Sequence, residues 1–106
     1  MKNNWFKLLY WLRHNCPYHN KISVKCKHKL SGNNKDDAGV CIQFDDGSIV
    51  IEINKNQSFD SRIDTLLHEW AHALSFDSKD VDEHGSEWGK QYARIYRKYL
   101  KWNWGR

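Results

Sequence analysis

The spacing of hydrophobic positions changes period along the chain. Over residues 3–14 (NNWFKLLYWLRH), Trp5, Leu8, Leu9 and Leu12 recur at helical intervals, with Asn3 or Asn4 placed to cap. Cys16-Pro17 ends this first helix, because the residue before a proline disfavours the helical region. Over 21–27 the period drops to two. Ile22, Val24 and Cys26 alternate with Ser23, Lys25 and Lys27, which predicts a half-buried strand. Residues 31–38 (SGNNKDDA) are polar and rich in turn formers, and read as a loop. Val40, Ile42 and Phe44 then alternate with Cys41 and Gln43, and Ile49, Ile51 and Ile53 alternate with Val50 and Glu52. Asp45-Asp46-Gly47-Ser48 lies between these two runs, and Asp-Gly there predicts a hairpin. Three strands in this order predict a small antiparallel sheet with one face packed.

Helical spacing returns over 61–76, with Asp60 or Ser61 as its cap. At about 100° per residue, Ile63, Leu66, Leu67, Trp70, Ala73 and Leu74 share one broad face, and His68 and His72 fall almost opposite. The predicted helix therefore buries one side against the sheet and presents two histidines on the other. Residues 77–83 (DSKDVDE) are an acidic connector. A last helix is predicted over 84–102. Trp88, Tyr92, Ile95, Tyr99 and Trp102 form its apolar stripe, and Lys90, Arg94, Arg97, Lys98 and Lys101 lie on the opposite face. His84 opens the apolar stripe and is expected to point inward. The expected architecture is α+β in a single domain over 1–106: an N-terminal helix, the sheet, the histidine-bearing helix and a C-terminal helix.

Composition adds that much of the core is aromatic, with six Trp, five Tyr and four Phe. No apolar run approaches the roughly 20 residues that span a bilayer. The N-terminal apolar stretch is interrupted by Lys7 and Arg13 and does not read as a signal peptide. A cytoplasmic, monomeric protein without a membrane partner is expected. In that setting Cys16, Cys26 and Cys41 are expected as reduced, half-buried thiols. A second metal site from Cys16, His19, Cys26 and His28 is the alternative, but Cys-x-x-His followed by Cys-x-His fits no established zinc spacing. The net charge of +4 conceals a segregation. Residues 1–35 carry eight Lys/Arg and residues 88–106 carry six, neither with any acid, whereas all thirteen acids fall within 36–87. Basic ends folded around an acidic middle leave cationic surface that attracts nucleic acid, although ordinary solvated lysines and arginines explain the same composition.

The chemistry sits in His68-Glu69-Trp70-Ala71-His72. On a helix, histidines at i and i+4 place two neutral nitrogen donors on one face, and the adjacent carboxylate is placed to act as a base. Catalytic zinc takes three protein ligands and keeps one position open. The spacing with Gly three residues after the second histidine and His three beyond is excluded, because Ser75 and Ser78 stand at those positions. Candidates for the third ligand are His84, Glu83 and Glu87. His84 is preferred because it combines an inward direction with a good zinc donor; its alternative role is packing at a helix start.

These residues carry a family resemblance. His68-Glu69-Trp70-Ala71-His72, followed after a dozen residues by His84-Gly85-Ser86-Glu87-Trp88, resembles the SprT-like metalloprotease domain, to which Spartan-type proteases also belong. The likeness is specific over 61–100. In the preceding helix and strands it extends only to a zincin-like layout. The resemblance implies His68, His72 and His84 as Zn²⁺ ligands and Glu69 as catalytic base. It implies Glu87 as a residue that orients a ligand, with a first-turn helix carboxylate as the alternative. It also implies Trp88 as a core residue beside the site. The reaction expected is hydrolysis of a protein or peptide substrate through a metal-activated water. Tyr92 and Tyr96 are candidate oxyanion donors, with aromatic packing as their other role, and strand 49–53 is a candidate edge for an extended peptide. Longer members of the family carry a Cys-x-x-Cys zinc ribbon, and the absence of that pattern from this sequence puts action on DNA-crosslinked protein in doubt. The alternative function is a catalytically silent, zinc-stabilised nucleic-acid-binding or adaptor module.

Overall fold

Three isoleucines at strand spacing, Ile49, Ile51 and Ile53, are at most 1% exposed and make β3 (Ile49–Asn54) the centre of the sheet. The computed structural model describes residues 2–32, 37–76 and 84–104. Around β3 the chain sets α1 (Lys2–Asn15), β1 (Ile22–Lys27), β2 (Gly39–Gln43), α2 (Phe59–Ser75) and α3 (Ser86–Trp104). The architecture is α+β. The acidic connector 77–83, including Glu83, lies outside the described residues.

The sheet is mixed, which corrects the expectation of a wholly antiparallel one. Its strand order is β1-β3-β2. β2 and β3 form the predicted hairpin, antiparallel from Gly39↔Ile53 to Gln43↔Ile49. β1 runs parallel to β3, from Ile22↔Ile49 to Lys27↔Asn54. The reason lies in the connection after β1. A tight hairpin needs two to five residues. The chain leaves β1 at Lys27 and enters β2 only at Gly39, long enough to cross two strand spacings, roughly 10 Å. β3 then returns into the gap. Strand 49–53, read as a candidate peptide-binding edge, is therefore bonded on both sides, and the edges are β1 and β2.

Glu52 departs from the simple alternation. Its side chain lies on the face opposite the isoleucines yet is 5% exposed. The segment after β1 folds over that face, and Ser31 donates to Glu52 from both its backbone N and its Oγ at 2.7 Å. Lys27 Nζ adds a bond of 3.2 Å.

α2 begins two residues before its predicted start. Ser58, rather than Asp60 or Ser61, is the cap, its Oγ accepting from Ser61 N at 3.2 Å. Leu66, Leu67, Trp70, Ala71 and Ala73 are buried, and α2 packs on β2, β3 and α3. Trp70 donates its buried Nε1–H to the Cys16 carbonyl at 2.8 Å, tying α2 to the end of α1. Leu8, Leu9, Trp11 and Leu12 of α1 complete the core, and Trp11 stacks on Trp102 of α3 at 5.2 Å. α3 packs on the side of α2 that carries the histidines, with the Trp88 and Tyr92 rings against His68. Among the described residues, no helix is long and apolar enough to cross a membrane.

Candidate metal centre

His68 and His72 stand one turn apart on α2, both half-buried. His84 precedes α3 by two residues and is itself exposed. Its ring nevertheless converges on the other two. His72 Nε2 is 3.2 Å from His68 Nε2 and 3.2 Å from His84 Nε2, and the His68–His84 separation is 3.3 Å. Among the described residues this is the group of histidine, cysteine and carboxylate donors that could hold a metal ion.

Two properties of this triangle fit a cation. Ligands at about 2.0–2.1 Å in tetrahedral directions around one ion are separated by about 3.3–3.4 Å, close to the edges observed. Hydrogen bonding alone accounts for the closure poorly. A neutral imidazole has one N–H, and an Nε2 carries either that proton or a lone pair, so three mutually close Nε2 atoms cannot all satisfy one another. One cation accepts all three lone pairs. The charged form of His72 is also disfavoured: burial first, then its neighbours His68 and His84, lower its pKa to about 4. A neutral ring is the form that ligates.

Trp88 forms one wall. Its ring stacks on His72 at 5.5 Å and meets His68 at 5.0 Å and His84 at 4.8 Å edge to face. Its Nε1 donates to the His68 carbonyl at 3.3 Å. Tyr92 stacks on Trp88 at 5.2 Å and lies 6.0 Å from the His68 ring. Burial raises the Tyr92 hydroxyl above the usual range, helped by Asp64 and Tyr96, so it stays a protonated donor. Tyr96 lies a turn further on, its ring against Tyr92 and Tyr99. Glu87 sits in the first turn of α3 and accepts from Gln91 Nε2 at 3.0 Å.

Glu69 is 7% exposed, and its Cγ lies against β2. The β2 residues that meet it are Gly39 and Cys41. A Cβ at Gly39 would lie 3.3 Å from Glu69 Cγ. Burial, then the Glu69 carboxylate, push the Cys41 thiol far up, so it remains neutral. Neither residue stands out as a site residue in the sequence. The one available signal was a glycine at the head of an alternating run, which often marks a close backbone approach. Cys16, His19, Cys26 and His28 do not assemble into a metal-binding group, and all three cysteines are free.

The SprT-like family model matches residues 9–103, nearly the whole chain. No curated protein and no solved structure gives a significant match.

Proposed function

The chain belongs to the SprT-like family, and from that premise we propose that it is a zinc-dependent endopeptidase. The observation that carries the reading is the closed Nε2 triangle of His68, His72 and His84, with edges of 3.2–3.3 Å, beside a buried glutamate. A set of three nitrogens without thiolate is typical of sites that keep a position open for chemistry. Zinc held there supplies Lewis acidity toward a peptide carbonyl.

Glu69 is the proton carrier. Its carboxylate takes a proton from the attacking water and delivers it to the leaving amine, so that the peptide bond is broken with water divided between the two products. Tyr92, a protonated donor beside His68, is the better placed of the two candidates to meet a developing oxyanion. β2 is the sheet edge that flanks Glu69. The hydrogen bonds Asn54 N to Ala38 O and Phe44 N to Ser48 O set the phase of the β2–β3 ladder. That alternation turns the N–H and C=O of Cys41 away from β3, where an extended peptide can pair with them.

The test uses Glu69→Gln. This variant is expected to retain about one zinc per chain and to hydrolyse a generic unfolded protein about 10²–10⁴-fold more slowly. Hydrolysis at the unsubstituted rate overturns the reading.

A nucleic-acid partner is proposed from one further observation. Lys90, Arg94, Arg97, Lys98 and Lys101 form an exposed cationic stripe on α3. Its far end lies about 20 Å along the helix from Trp88. Single-stranded DNA binding whose affinity falls linearly with the logarithm of salt concentration is the expected result. Such binding by a protein that cleaves nothing would favour the silent-module alternative.

A further inference from the structure

At Gly39 the contact between β2 and α2 beneath the proposed base is too close for a side chain. At Gly39, a Cβ would lie 2.5 Å from Thr65 Cγ2, 3.2 Å from the Glu52 carbonyl oxygen and 3.3 Å from Glu69 Cγ. Thr65 and Glu69 are four residues apart on α2, so their side chains form one ridge on one face. Gly39 is the notch that receives this ridge. The backbone has no need of glycine there, since the positive-φ glycines are Gly32 and Gly47. Space is what the position requires.

The notch cannot open cheaply. The Thr65 hydroxyl donates to the Ser61 carbonyl at 2.8 Å and lies 3.2 Å from Gln57 Oε1. A β-branched side chain in a helix has few rotamers, and turning Cγ2 aside would break these bonds. The Glu52 carbonyl belongs to the central strand. A methyl group on residue 39 therefore displaces α2 from β2 or pushes the Glu69 side chain along its path. The histidines leave α2 on the side facing α3, where Trp88 holds them.

We propose that Gly39 is a positioning residue for Glu69: its missing side chain lets the glutamate lie against β2, and this sets where the carboxylate reaches relative to the three histidines. The inference rests on the peptidase reading, because Glu69 is the base of that reaction. It separates two properties that share one helix. Metal binding depends on the α2–α3 side, and proton transfer depends on the α2–β2 side.

The experiment compares unsubstituted protein, Gly39→Ala, Thr65→Ser and the double variant, all zinc-loaded. Thr65→Ser removes the methyl group that the new Cβ would meet and keeps the hydroxyl. Gly39→Ala is expected to keep about one zinc per chain and lose about 10–100-fold in kcat, with KM little changed, as a displaced catalytic group does. The double variant is expected to recover most of that loss. A second readout does not need turnover. In unsubstituted protein, NMR cross-peaks should join Gly39 Hα to the Thr65 methyl and to Glu69 Hγ. In Gly39→Ala the Glu69 resonances should shift while the imidazole resonances of His68, His72 and His84 keep their positions. Full kcat in Gly39→Ala, no recovery in the double variant, or zinc loss in step with activity loss overturns the proposal. If the unsubstituted protein cleaves nothing, the peptidase reading fails, and the cross-peaks still decide whether Gly39 seats Glu69.

Discussion

Trp88 of α3 donates its indole N–H to the main-chain carbonyl of His68 on α2, at 3.3 Å, while its ring covers His72. One side chain thus fixes the height of one helix against the other at the level of the converging imidazoles. The third of these, His84, stands four residues before Trp88. Trp88→Phe retains the aromatic wall and loses the hydrogen bond, at an expected cost of about 0.5–1.5 kcal/mol in stability. Trp88→Ala also removes the wall that orients three rings. Zinc affinity in that variant is expected to fall about 10–100-fold, the range for residues that orient ligands. Competition against a chromogenic chelator measures it. Unchanged affinity in Trp88→Ala would mean that the histidines hold their geometry without α3.

The depressed pKa of His72, about 4 against an ordinary 6.5, has a stability consequence in the metal-free protein. The folded state binds this proton less readily than the unfolded chain does. Protonation therefore favours unfolding, and stability is lost as pH falls from about 6.5 toward 4. Above about 6.5 both states hold a neutral ring and the contribution is flat. Melting of chelator-treated protein between pH 4 and 8 should show this acid-side decline. His72→Gln, which cannot charge, should reduce the slope. An identical pH profile in His72→Gln would refute the assignment.

The helices were legible because each writes its period into the chain: Leu66, Leu67, Trp70 and Ala73 in α2, Ile95 with its aromatic neighbours in α3. The group of three histidines that could hold a metal ion was legible for a related reason. His68 and His72 are local to one helix, and His84 is the next histidine along the chain. Strand pairing was less legible. Alternation in 22–26 and 49–53 reports which side chains share a face, but it does not report which strand is the neighbour or in which direction it runs. The sheet's mixed character is set by the length of the crossing from Lys27 to Gly39 and by the short hairpin that follows. Glu52 and Gly39 were illegible because their environments come from elsewhere in the chain. The cover over Glu52 is Ser31, and the contact at Gly39 is the Thr65–Glu69 ridge.

Withdrawal of metal provides the last prediction, and it follows from the position of His84. This residue is exposed and adds little burial, so without an ion it contributes little to holding α3 on α2. With an ion it joins the two helices through one point. At a free zinc concentration of about 100 times Kd, binding to the folded state alone adds about 2.7 kcal/mol. For a domain of this size that corresponds to roughly 10–20 °C in Tm. Chelation should remove this increment from the unsubstituted protein. His84→Ala should show almost none of it, while its metal-free Tm stays within a few degrees of the unsubstituted metal-free value. Calorimetry of both proteins with and without zinc checks both statements. A full zinc-dependent increment in His84→Ala would exclude His84 as the third ligand, and a low metal-free Tm would show that its role is packing.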